Sequence, residues 1–299
     1  MNLILVELAY FISAYKKPQD IIRLINVLAN DQEQFYVHFD KNIGEHRFKL
    51  WKELIEQKCR TENIKIFSKF RIKWGSFGIV DATLSAMNYF EDLNYDYFIN
   101  LTGECYPLKS PRQIRESFKD QNAGFMNFWK LPYKGWLYGG WNRIHYRYFF
   151  LPRKRYPYVR KFKIPRFRKK LPCNLEAYGG WSLCCLPKDL VSYIVKFIEN
   201  NPKVKSFFKT TFAPSELISQ TILLNSPFRD RIVNDNKRYL EFVGAHPRIM
   251  TKDDYPNLKR SGKLFGRKFN SDVDKEILDI IDNEIMPKKR LIKEEPKTF

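Results

Sequence analysis

Glu216 closes the run Phe212-Ala213-Pro214-Ser215-Glu216, and two basic runs follow it, His246-Pro247-Arg248 and Arg267-Lys268-Phe269. A carboxylate within hydrogen-bond reach of a hydroxyl can take its proton as a general base. Fixed cationic side chains can stabilise charge on a departing diphosphate, a task that a divalent metal otherwise performs. Together these residue types suit displacement of a diphosphate by a hydroxyl. Each also has a plainer reading. Pro214 predicts a helix start that puts Glu216 in the first turn, where a carboxylate complements the dipole by about 0.3–1 kcal/mol. In a chain with 53 Lys+Arg, most cations are simply solvated.

Other chemistries lose ground on the same residues. No GxxxxGK[ST] and no GxGxxG follows any strand-like run, which removes P-loop and Rossmann cofactor sites. The one DxD, Asp272-Val273-Asp274, opens the last helical pattern, where acidic residues cap and match the dipole. Without an acidic or histidine cluster elsewhere, neither a metal nor a cofactor is expected. The five cysteines form no CxxC, which speaks against zinc and for a reducing compartment.

The elements that must position these residues are legible from periodicity. Apolar runs predict strands at 3–13, 35–39, 64–67 and 97–101, and a buried strand from Gly179 to Cys185. Helical spacing follows Pro18, covers about 45–58, carries Ile79, Val80, Leu84 and Met87, runs on from Pro187 through Ile198, and recurs from about Asp272 to Ile285. Strands alternating with helices predict an α/β fold, doubly wound around a mainly parallel sheet with helices on both faces. Ligands then sit beyond the carboxyl ends of the strands. Asp40, the turn at Trp74 and Thr102-Gly103-Glu104 should therefore meet in one crevice.

The 299 residues, 44% hydrophobic and 16% aromatic, exclude a disordered chain and a multi-span membrane protein. One domain over 1–287 is expected, with a loose charged tail at 288–299. The N-terminal apolar run, broken by Glu7, reads as a buried strand rather than a leader or anchor.

An ordered set of motifs then resembles the core-2/I-branching family, which includes β-1,6-N-acetylglucosaminyltransferases and peptide O-xylosyltransferases. The set comprises Trp74-Gly75-Ser76, Ile79-Val80-Asp81-Ala82-Thr83, Tyr97-Phe98-Ile99-Asn100-Leu101-Thr102-Gly103, Tyr106-Pro107-Leu108-Lys109-Ser110, Gly179-Gly180-Trp181-Ser182, Pro214-Ser215-Glu216 and Leu264-Phe265-Gly266-Arg267-Lys268-Phe269. The resemblance implies a GT-A fold and an inverting, metal-independent transfer from a UDP-sugar, with GlcNAc or xylose as the sugar, to a glycan or lipid-linked oligosaccharide acceptor. It implies Glu216 as catalytic base, Lys268 and Arg248 as diphosphate ligands, and Asp40 and Trp74 beside the uridine. It places Phe242, Glu104 and Trp181 toward the acceptor. Cys105 stands where many relatives carry Asp, which bears on the donor sugar. The membrane anchor and paired cysteines of the animal enzymes are absent from the sequence, which leads us to expect a cytoplasmic, bacterial-type member.

Residues 131–170 break the pattern, because they hold no Asp or Glu and mix Lys and Arg with Tyr, Trp and Phe. The net charge of +20 is concentrated there in the way a polyanion or anionic surface would favour. Cations and aromatics together suit an anionic membrane interface, so peripheral contact with the inner face of a membrane is expected. A nucleic-acid partner is the rival class and would use the same stretch. No helix-turn-helix, zinc-finger or RNA-recognition signature accompanies it, and no nucleic acid is expected. A catalytically silent sugar-binding relative is the third reading. A solvated basic face with no dedicated partner is the plainest.

Overall fold

The computed structural model describes residues 6–30, 32–151, 160–164, 168–244 and 246–285. The expected tail at 288–299, the start of the first predicted strand at 3–5, and 152–159 and 165–167 of the basic stretch lie outside the described residues.

The chain is α/β, with seven strands in the order Ile232–Val233, Gly124–Met126, Cys184–Pro187, Tyr97–Thr102, Leu8–Ala14, Gln34–Phe39 and Ile64–Phe67. Every pairing is parallel except those of Cys184–Pro187, which runs against both neighbours. This is the mainly parallel, GT-A-like sheet expected from the alternation of elements.

Side-chain alternation divides the core into two layers. Tyr10, Ile12, Phe35, Val37, Ile99 and Leu101 point to one face, where the helices Pro18–Leu28 and Glu276–Ile285 cover them. Ala9, Phe11, Tyr36 and Phe98 point to the other, against Gly78–Glu91, Lys188–Asn200 and Ile218–Leu224. Fully burying one such Leu, Ile or Phe contributes about 1.5–3 kcal/mol, so both faces are strongly specified. Arg238 crosses this core and is buried, and among the described residues no carboxylate pairs with it. Its guanidinium instead donates to Asn100 O, Cys184 O, Asn236 O and Cys185 Sγ, and so ties together the central strands.

Three sequence expectations change. Pro214–Glu216 is a separate 3-10 turn, entered through a left-handed Ala213 (φ 50) and closed by Leu217 (φ −138) before the helix Ile218–Leu224. Glu216 is thus not in the first turn of an α-helix, and the dipole explanation of its type falls away. The last helix begins at Glu276 rather than Asp272, because Asp274 Oδ1 accepts from Ile277 N at 3.1 Å and caps it, while Asp272 pairs with Lys17. The DxD therefore acts as a helix cap, as its place in the sequence suggests. The buried strand expected from Gly179 to Cys185 is divided. Gly179 pairs with Trp129 in a small ribbon, and only Cys184–Pro187 joins the sheet. Between them, Gln220 and Asn100 side chains capture Trp181 O and Ser182 O at 2.9 Å, which holds this stretch off the strand path.

Candidate active site

Four loops leave the carboxyl ends of adjacent parallel strands. Glu104 follows Tyr97–Thr102, Tyr15 and Lys16 follow Leu8–Ala14, Asp40 follows Gln34–Phe39, and the loop to Trp74 follows Ile64–Phe67. Asp40 closes its loop on itself and on the next, since Oδ1 accepts from Asn42 N at 2.9 Å and Ile72 N at 3.0 Å. Buried His38 does the same from below, with Nε2 accepting from Lys69 N and Phe70 N at 3.1 Å. Burial pulls its pKa down to about 4, which keeps the imidazole neutral and able to accept.

Glu216 is positioned from three sides. Ala213 N donates to Gly75 O at 2.8 Å, Glu216 N to Ala213 O at 3.0 Å, and Gly180 N to Glu216 O at 2.9 Å. Two glycines are required here. Gly75 has φ +78 and the Phe212 ring against its Cα, and a Cβ on Gly180 would lie 1.8 Å from Asn127 O. The Glu216 carboxylate is partly exposed and meets Arg143, whose Nη1 donates to Oε2. Arg143 comes from the basic aromatic stretch, on the short helix Trp141–His145, and its guanidinium lies 3.6 Å over the Trp136 ring.

That stretch is fastened to the body of the protein. Phe212 N donates to Arg143 O, and Tyr148 N to Thr210 O. Lys169 is buried and donates to Phe207 O, Thr210 Oγ1 and Thr211 Oγ1 at 2.9–3.1 Å, around the carboxyl end of the helix Pro202–Lys209. Burial lowers its pKa to about 7.

Aromatic side chains pack along the segments that hold this loop. Trp74 is 73% exposed and edge-on to Phe212 at 5.2 Å. Trp181, next to Gly180, lies 5.3 Å from the ring of Phe242 on the Phe242–Val243 strand, whose hairpin partner His246–Pro247 leads into Arg248. Trp74 and Trp181 are thereby tied to the Glu216 loop, Trp74 through Phe212 and Trp181 through Gly180, whose N–H donates to Glu216 O.

Lys268 and Arg267 belong to a second cluster. The strand Phe265–Arg267 pairs with Cys105–Pro107, which brings both cations to Glu104. Lys268 Nζ is 3.2 Å from Glu104 Oε1, Lys16 Nζ is 3.5 Å from it, and Arg267 Nη2 is 3.6 Å from Oε2. Tyr15 OH donates to Oε1 at 2.8 Å. Three cations against one carboxylate leave a formal +2.

Arg248 is held differently. Its guanidinium donates to both Glu241 and Asp254 at 2.6–3.1 Å, a formal −1 for one cation between two carboxylates. Arg267 joins Lys268 at Glu104, whereas Arg248 is held between its two carboxylates on the segment whose Met250 N donates to Lys268 O at 2.8 Å. Glu104, expected at the acceptor, sits among Lys16, Arg267 and Lys268 with its side chain buried.

Sequence reasoning missed Arg143, Tyr15 and Lys16. The rule that ligands gather at strand ends applies to the first strand as well as the others, and would have selected Tyr15-Lys16. No spacing singles out Arg143 within a stretch rich in arginine.

Comparison with known proteins identifies the family. The family model described as Core-2/I-Branching enzyme matches residues 8–259. The chain is similar to xylosyltransferase 2 of Mus musculus, 22% identical over 315 aligned residues covering 93% of this chain and 33% of that protein. It is also similar to xylosyltransferase 1 of Rattus norvegicus, 20% identical over 317 residues covering 93% and 35%. It spans about a third of the length of these relatives. With the family model matched over most of its length, Glu216 included, the chain belongs to the Core-2/I-branching enzyme family.

Proposed function

We propose that the chain is an inverting, metal-independent glycosyltransferase that moves a sugar, GlcNAc or xylose, from a UDP-sugar to a hydroxyl of a glycan or lipid-linked acceptor. One observation carries the reading. Glu216 is a partly exposed carboxylate that meets Arg143 and whose backbone holds Gly180-Trp181, and Lys16, Arg267 and Lys268 form a cluster of net positive charge at Glu104, just beyond the carboxyl end of the central strand Tyr97–Thr102.

Glu216 takes the proton of the acceptor hydroxyl through the oxygen that Arg143 leaves open. The acceptor oxygen forms its bond to the anomeric carbon as the bond from that carbon to the diphosphate breaks on the opposite face. The bonding pair leaves with UDP, and an α-linked donor gives a β-linked product. Lys268 and Arg267 meet the charge that develops on the diphosphate. Arg248 adds less, because Glu241 and Asp254 already neutralise it. In this reading Asp40 and Trp74 serve the uridine, and the Trp181–Phe242 pair offers aromatic faces on which an acceptor sugar can stack. The exposed Leu137, Tyr138 and Phe149 of the basic aromatic stretch offer apolar contact to an anionic membrane surface.

The test is titration of UDP and UDP-sugars into the purified protein in excess EDTA, with NMR of the product's anomeric configuration. Binding and β-linked product without metal are expected. Binding that appears only with Mn²⁺ would contradict the cationic diphosphate site.

A further inference from the structure

The carboxylate of Glu104 is the feature that the reaction above leaves unused. It is buried at the floor of the cation cluster, where an anion would oppose the diphosphate that the cluster is read to bind. Its place is fixed from the backbone, since Glu104 O accepts from Phe269 N at 2.9 Å, the residue after Lys268. A small cavity lined by Tyr15, Lys16, Lys17, Asp20, Glu104 and Asn270 opens beside it.

The geometry of its partners is informative. Charge-assisted N–H···O bonds run about 2.7–2.9 Å. The three cations stand at 3.2, 3.5 and 3.6 Å from Glu104, and only the neutral Tyr15 hydroxyl reaches it at 2.8 Å. Glu104 Oε2 accepts no hydrogen bond among the described residues. The carboxylate thus gathers the cations without clamping them, unlike Glu241 and Asp254, which close on Arg248 at 2.6 Å.

We propose that Glu104 is an internal competitor of the nucleotide diphosphate. It keeps Lys16, Arg267 and Lys268 together when the site is empty, and it takes them back as UDP departs. This rests on the reading of Lys268 as a diphosphate ligand. Three cations gathered within 3.6 Å of one carboxylate would repel one another without that counter-charge, so an anion is needed in the empty site. Once the diphosphate binds, the same buried carboxylate repels it, and the repulsion grows when bond cleavage adds negative charge to the leaving UDP. Glu104 is therefore a positioning residue that trades nucleotide affinity for release.

The sign of this effect separates it from a merely structural role. Calorimetric titration of UDP into Glu104→Gln should give binding about tenfold tighter than wild type, with uridine binding unchanged and UDP a correspondingly stronger product inhibitor. Unchanged or weaker UDP binding by a folded Glu104→Gln overturns the proposal. Tyr15→Phe reads the same balance from the other side and serves if Glu104→Gln fails to fold. Freed of its best donor, the carboxylate draws on the cations, and UDP binding should weaken about threefold with uridine unchanged. Unchanged or tighter UDP binding there overturns the proposal equally. Lys268→Met is the control for the underlying reading. If it leaves wild-type UDP affinity intact, the diphosphate site is misplaced, and both claims fall for a reason distinct from the sign of the Glu104 effect.

Discussion

Arg143 Nη1 lies 2.5 Å from Glu216 Oε2 while the Arg143 guanidinium stacks on Trp136. A residue of the basic aromatic stretch thus reaches the carboxylate at the centre of the site, and Phe212 N, bonded to Arg143 O, joins the two segments through the backbone as well. The stretch that looks like an addition to the fold therefore orders its central loop. A guanidinium held flat over an indole offers its donors in a fixed plane, which restrains the carboxylate rotamer.

Arg143→Met should lower kcat by about 10–100-fold, a penalty of the size expected when a general base loses its alignment. KM for the UDP-sugar should hardly change, since the donor cations lie elsewhere. Steady-state kinetics on Arg143→Met and Arg143→Lys would check this, and equal loss in both parameters would argue for a collapsed loop instead.

Cation substitutions should rank by the net charge of their surroundings. Lys268→Met should weaken UDP binding by about tenfold or more, and Arg248→Met by less, because one removes charge from a net positive cluster and the other from a pair of carboxylates. Arg248→Met should instead lower stability by leaving Glu241 and Asp254 facing each other. UDP titration and urea denaturation of both variants would show whether the ranking is reversed.

His38 makes the loop to Trp74 sensitive to acid. Its pKa is lowered from 6.5 to about 4 by burial, opposed in part by Asp40 and assisted by Lys69. Because the unfolded chain binds the proton first, stability is complete above about pH 6.5 and falls as pH drops toward 4, by up to about 3 kcal/mol. Hydrogen exchange at the Lys69 and Phe70 amides across that window would reveal the loss. A His38→Gln variant should flatten the dependence, and an unchanged profile would assign it to other groups.

Arg238→Met should destabilise the fold by about 2–4 kcal/mol, because the buried carbonyls of Asn100, Cys184 and Asn236 would lose their donor. Urea unfolding measures this directly, and a change below about 0.5 kcal/mol would mean that the core relaxes around the apolar side chain.

Much of this was legible in the residues. The parallel sheet followed from strands and helices in alternation, because period-2 and period-3.6 patterns report burial directly. Asp40 lies at the carboxyl end of its strand, as the alternation of elements predicts. What remained hidden depends on contacts distant in sequence. Nothing near Glu104 announces that Arg267 pairs with Cys105 and swings Lys268 over it, and nothing near Arg248 announces Asp254 as its clamp. Glu216 looked like a helical residue because Pro214 is a helix-start signal. The left-handed Ala213, held by Gly75 O, is a tertiary effect that overrides it.

The central claim, a base at Glu216 acting with fixed cations, is tested most directly by UDP release. Wild type and Glu216→Gln would be compared on a panel of UDP-sugars with acceptor, in excess EDTA. The account predicts turnover of one donor by wild type and a loss of about 10²–10⁴-fold in Glu216→Gln, with UDP affinity retained. Turnover retained in Glu216→Gln, or turnover in wild type that EDTA abolishes, would contradict it.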